Sequence, residues 1–146
     1  MKMQAMKGLA VAAFIVMLGA SSAKASSPML REDIPFDFTV GNATLPAGTY
    51  TVTEATPGLL LIRNEKPGTD AAFVLVNSVE TTKPQDSAKL MFHRYGNSYF
   101  LNQVWTNGAI SGYSIPKSRD EISVSKELLA ANRPEVIPVV VVVPLQ

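Results

Sequence analysis

The sequence predicts an all-β domain: an antiparallel β-sandwich or small barrel of about seven strands, with one short helix near the C-terminus at about residues 118–131. Three observations carry that expectation. Apolar and polar residues alternate with a period of two in several short runs, the mark of half-buried strands. Pairs containing Gly or Pro separate those runs with turn chemistry. One later stretch changes character and opens on a helix-capping pattern.

The elements follow in chain order. Residues 1–25 have the make-up of a secretory signal peptide. Lys2 and Lys7 form a basic start, residues 8–20 are apolar and uncharged, and Ala23 and Ala25 supply the small-residue spacing before cleavage. The apolar run is shorter than the roughly 20 residues a membrane span requires, so no transmembrane segment is expected after cleavage. SSPMLRE, residues 26–32, reads as a flexible leader, and residues 33–146 as a single β-domain. IPFDFTV, residues 34–40, alternates, with Ile34, Phe36, Phe38 and Val40 on one face and Asp37 and Thr39 on the other. Gly41-Asn42 and Leu45-Pro46-Ala47-Gly48 are turn sequences, and TYTVTE, residues 49–54, alternates again. Pro57-Gly58 and Pro67-Gly68 punctuate LLLIR, residues 59–63, a strand with apolar residues on both sides.

AAFVLVNSVE, residues 71–80, reads as one strand, with Phe73, Leu75 and Asn77 opposite Val74 and Val76, and TTKPQDS as a polar loop. AKLMFHRY and SYFLNQVW flank Gly96-Asn97 as a β-hairpin, and AISGYSI, residues 109–115, adds a strand. SRDEISVSKELLAAN, residues 118–132, opens on Ser118-x-x-Glu121, a capping box, with Asp120 and Glu121 suited to the positive end of a helix. EISVS within it also fits a strand. The tail carries Val139–Val143: either a last strand paired inside the domain or an exposed edge that invites self-association.

Charge and cysteine content bound the function. Loss of residues 1–25 removes Lys2, Lys7 and Lys24, leaving ten basic against twelve acidic groups, a net charge of −2. No cluster of Lys and Arg marks a nucleic-acid surface, so no nucleic-acid partner is expected. An exported chain without cysteine must be held by packing alone, which fits a bacterial periplasmic or extracellular protein. Asn42-Ala43-Thr44 matches a glycosylation sequon, of consequence only in a eukaryotic secretory pathway.

KLMFHRYGNSYFLNQVW, residues 89–105, holds the only histidine, His93, and the only tryptophan, Trp105. With Gly96-Asn97 as a two-residue loop, Arg94 faces Tyr99, Phe92 faces Leu101 and Ala88 faces Trp105 on one side, which should be core wall. His93 faces Phe100, Met91 faces Asn102 and Lys89 faces Val104 on the other side. That second side is where a ligand, a partner or the C-terminal segment would lie, and His93, Tyr95, Phe100 and Asn102 are its candidate surface. A satisfied structural histidine is the competing role for His93. Arg94 beside Tyr99 suggests a cation–π contact at the hairpin tip.

Together with DIPFDFTVGNATLPAGTYTV and IPKSRDE, the FHRYGNSYFLNQVW stretch resembles a family of small uncharacterised exported β-proteins of Acidobacteria and other soil bacteria. The similarity runs over most of the chain beyond the signal. It implies an exported β-domain and brings no catalytic residue with it. LPAGT, residues 45–49, breaks the order of a sortase signal.

Catalytic motifs are sparse. One histidine and no cysteine leave a zinc or copper site to carboxylates, and no D-x-D-x-D-G calcium loop is present; no cofactor or metal is expected. His93 has no G-x-S-x-G elbow to serve. Asp37 and Glu54, on adjacent predicted strands, are the one carboxylate pair to weigh for glycoside hydrolysis. The expectation is a non-enzymatic exported β-domain that meets envelope components or a protein partner. The alternative is a carrier or sensor of a small apolar ligand lined by aromatics, and a small hydrolase comes third.

Overall fold

The computed structural model describes residues 27–68, 71–133 and 137–142. The segment 1–25 expected to be a signal peptide, residues 69–70 and Val143 lie outside the described residues. Among the described residues the architecture is all-β with one helix, built from two facing sheets and no closed barrel.

The first strand, β1 (Leu30–Ile34), begins inside the segment read as a leader. It runs antiparallel to β4 (Gly48–Thr56), and Leu30 and Ile34 are buried. Arg31-Glu32-Asp33 hid this strand, because three consecutive charges obscure two apolar residues on one face. Arg31 and Asp33 face outward, and Arg31 pairs with Glu65 across the sheet surface. Glu32 faces inward.

Alternation continues from Ile34 to Val40, but the strand does not. Between Pro35 and Asp37 the chain leaves one sheet for the other, and β2 (Phe38–Val40) pairs with β3 (Ala43–Leu45) around Gly41-Asn42. Proline donates no ladder bond, so it suits the crossing point. Ile34, Phe38 and Val40 still point into the core and Phe36 is half-buried, because both sheets enclose the same core.

β4 turns through Pro57-Gly58 into β5 (Leu59–Asn64). Gly58 has φ +81°, the left-handed value a side chain would strain. β5 buries Leu60 and Ile62 on the core side and half-buries Leu59 and Leu61 on the other. β6 (Ala71–Leu75) completes a four-stranded sheet in the order β1-β4-β5-β6. The predicted strand 71–80 is two strands. The chain crosses sheets again at Val76, and β7 (Asn77–Glu80) belongs to the large sheet. Phe73 and Leu75 consequently point to solvent, 65% and 73% exposed.

The large sheet contains β8 (Lys89–Tyr95), β9 (Ser98–Trp105), β10 (Ser111–Ser114) and, after the helix α1 (Arg119–Ala130), β11 (Ile137–Val142). Its order is β11-β8-β9-β10-β7, and β2 joins the flank of β9 in parallel at Thr39 and Phe100. Eleven strands are thus described where about seven were expected, because the predicted strands 34–40 and 71–80 each divide in two and β3 and β11 add to them. The valine segment pairs inside the domain, Val139 opposite Phe92, yet it forms the outer edge of its sheet, with Val140 partly exposed.

Between the sheets, Phe38 meets Tyr50 and Phe92 edge-on at centroid distances of 5.0 and 5.6 Å. The buried Tyr50 hydroxyl donates to the Pro46 carbonyl at 2.6 Å, which removes the cost of an unpaired polar group.

Among the described residues, Glu32 is the one polar liability of this core. Its Oε2 is buried without a hydrogen-bond partner. Burial pushes its carboxyl above the usual value, a backbone hydrogen bond from Asp33 opposes the shift, and the Asp33 charge adds to it. A folded-state value above the unfolded one means that the group favours the fold at low pH. That contribution is lost as pH rises through the folded-state value. Glu32→Gln removes the buried charge and is therefore expected to stabilise the protein at pH 7. The gain should shrink at pH 4. Thermal melts at both pH values check this, and an equal gain at both would sink the explanation.

Candidate functional site

The hairpin places the candidate residues. Its tip follows the expected register: Tyr95 opposite Ser98, Arg94 opposite Tyr99, His93 opposite Phe100 and Phe92 opposite Leu101. The guanidinium of Arg94 lies 5.5 Å from the centroid of the Tyr99 ring, the expected cation–π contact. Below Phe92 a bulge at Asn102 shifts β9 by one residue, so Met91 faces Gln103, Leu90 faces Val104 and Lys89 faces Trp105. Trp105 therefore does not join Phe92 and Leu101 in the core wall. It lies on the side of His93 and Phe100, the outer face of the large sheet.

That face is largely covered. At one end the Trp105 ring packs closely against Gly112, where an added Cβ would meet Cε3 at 2.6 Å, and its Nε1 donates to Gln103 Oε1 at 2.9 Å. At the other end the start of α1 lies over β8. Ser118 is the N-cap as predicted, its Oγ accepting from the Glu121 backbone N–H at 3.1 Å. The second half of the capping box is diverted: the Glu121 side chain turns down onto the sheet. His93 Nδ1 sits 2.9 Å from Glu121 Oε1, and the Tyr95 hydroxyl donates to the same oxygen at 3.0 Å.

Glu121 is the only buried residue of its helix, and Tyr95 and Phe100 are buried edge-on against each other at 5.7 Å. Burial, then the hydrogen bond to Glu121 and its charge, push the Tyr95 phenol up to about 12, so it stays a donor across the physiological range. Carboxylates in the first turn also gain from the helix dipole.

Three of the four sequence candidates, His93, Tyr95 and Phe100, thus come together. Asn102 does not: it is the bulged residue, and its carbonyl accepts from the Ile115 N–H at 2.8 Å. Glu121 was missed as a site residue, since Ser-x-x-Glu is fully explained by capping until the helix is placed against β8.

Chemically, a carboxylate on Nδ1 orients an imidazole as in the base and orienting pair of a hydrolase. The third member is lacking, for among the described residues no hydroxyl is bonded to His93. Nor do three or more His, Cys, Asp or Glu side chains gather there as a metal set.

Asp37 and Glu54 are used separately. Asp37 lies between strands and accepts from the Ala47 N–H at 2.8 Å, whereas Glu54 on β4 accepts from the Tyr113 hydroxyl at 3.0 Å and ties the two sheets together. They border different hollows. Those hollows, of about 340 and 240 Å³, are open to solvent, as is a groove of about 550 Å³ along β6.

Fold and site together define a β-sandwich whose single His–Glu pair docks a helix. No family model, curated protein or solved structure matches this chain.

Proposed function

We propose that this chain is an exported, non-catalytic β-sandwich of the periplasm or cell exterior that works by binding a protein partner, and that it belongs with the small exported proteins whose F-H-R-Y-G hairpin it shares. The observation that carries the binding role is the outer face of the four-stranded sheet. Phe73 and Leu75 on β6 are 65% and 73% exposed and stand beside the half-buried Leu61 and Leu59 of β5. The same face turns polar toward β4 and β1, with Thr51, Thr53, Arg31 and Asp33. An apolar strip with a polar border is the make-up of an interaction surface.

The candidate residues of the hairpin support a structural role instead, because Glu121 satisfies both His93 and Tyr95. The open hollows lend nothing to the carrier reading.

The test is photo-cross-linking in the producing cell, with p-benzoyl-phenylalanine in place of Phe73. A discrete adduct of higher mass is expected from position 73 and none from Thr53 on the same sheet face. No adduct from either position would refute the partner surface.

A further inference from the structure

Five strands lie at sheet edges, since β3 pairs only with β2, and four of them carry features that discourage pairing with another chain: β3 is only three residues long. β1 has Arg31 and Asp33 and turns Glu32 inward. β7 ends in Glu80, and β11 contains Pro138. Charge, proline and an inward-facing carboxylate are common ways to blunt a sheet edge. β6 has none of them: its five residues are Ala71, Ala72, Phe73, Val74 and Leu75.

Its backbone groups are arranged to receive a strand. The Val76 N–H donates to the Gly58 carbonyl at 2.9 Å, on the β5 side. Alternation then turns the N–H and C=O of Ala72 and Val74 toward β5, and those of Ala71, Phe73 and Leu75 outward. β6 also lines an open groove of about 550 Å³, together with Val40, Gly41, Asn42 and Ala43 of the β2–β3 turn and with Pro116 and Ser118. No residue lining that groove is charged, so its occupant is expected to be uncharged as well.

We infer that the occupant is β6 of a second copy of this chain, paired antiparallel about a two-fold axis at Phe73. The two four-stranded sheets then become one continuous sheet. The inference rests on the reading of this surface as a partner surface and names the partner. β6 is self-complementary in this register. Each Leu75 stands opposite a small Ala71, each Val74 opposite a small Ala72, and Phe73 opposite Phe73. Large residues meet small ones on both faces, and the axis pairs the two rings, a favourable cross-strand contact. No charge is brought opposite its own copy, whereas the same operation on β1 would set Glu32 against Glu32. The exposed strip Leu61–Phe73 is doubled into one apolar band across the seam. Such an interface is isologous and closes at two chains.

The absence of cysteine makes the register directly readable. Ala71→Cys and Leu75→Cys chains, both retaining Phe73, are mixed and oxidised gently. Directly opposed residues in an antiparallel pair lie within disulfide reach. The mixed pair is expected to cross-link on the order of ten-fold faster than either variant alone or than Thr53→Cys, because pairing raises the effective thiol concentration. Unchanged melting curves for each variant verify that it is folded. A mixed rate no greater than that of Thr53→Cys would overturn self-pairing, and a lone Leu75→Cys rate equal to the mixed one would overturn this register. The adduct at position 73 separates the two readings. A product at twice the chain mass agrees with self-pairing. A product with another protein, alongside slow thiol cross-linking, leaves the partner surface standing and removes the second copy from it.

Discussion

Replacing Glu121 with alanine is expected to cost about 3 kcal/mol of stability and to free α1 from β8. The carboxylate is the sole buried group of the helix, and one oxygen holds both His93 and the Tyr95 phenol. Removing it leaves a buried hydroxyl without an acceptor. The remaining contacts of α1 with the sheet are few, and Ile122 and Leu129 are 40% and 61% exposed, so apolar packing does not replace the bond. Denaturant unfolding measures the loss, and hydrogen exchange over residues 119–130 should rise more than exchange in β4 and β5.

Tyr95 supplies an independent readout. Its phenol is held at about 12 by burial first and Glu121 second. A raised folded-state value adds stability below pH 10 that is lost as pH rises toward 12. In Glu121→Ala the phenol should titrate at lower pH, measured by ultraviolet absorbance. An unchanged tyrosine titration together with an unchanged midpoint would show that the helix is held by something else.

The second large effect is expected at Gly112→Ala, about 2 kcal/mol of destabilisation. The new Cβ would stand 2.6 Å from Trp105 Cε3 and 2.9 Å from the Val104 carbonyl oxygen. The indole can move only by abandoning Gln103 or lifting off the sheet, and the carbonyl belongs to the β9 backbone, which β8 and β10 pin on both sides. In a Trp105→Leu background the cost should fall without vanishing, since the backbone clash remains. Equilibrium unfolding of the two single variants and the double variant decides it. A cost undiminished by the loss of the indole would place the strain elsewhere.

The legible parts of this fold were those decided within a few residues. Pro57-Gly58 and Gly96-Asn97 predict their hairpins because turn geometry is local, and Ser118-x-x-Glu121 predicts where the helix starts for the same reason. Facing was legible too: Ile34, Phe38 and Val40 are all buried. Sheet membership was not. In a sandwich both sheets present their apolar sides to one core, so alternation runs on unbroken while the chain crosses at Pro35 or Val76.

On the candidate site, His93, Tyr95 and Phe100 were brought to one face by simple counting from the hairpin loop. Counting failed at Trp105, because a bulge leaves no signature in the residue pattern around Asn102. The hydrogen-bond partner of His93, Glu121, is distant in sequence. Its direction depends on how the helix docks, which no local spacing encodes.

The crossing at Pro35 also bears on how the chain acquires its structure. It commits β2 to a place against β9, with Thr39 waiting for Phe100, while β8 waits for the valine strand at its other flank. Pairings of such long range are slow to form, since much chain must be ordered before they return any free energy. The large sheet can therefore close only late, after nearly all of the chain has emerged. Refolding should be slow, with the hairpin of β4 and β5 the earliest ordered piece.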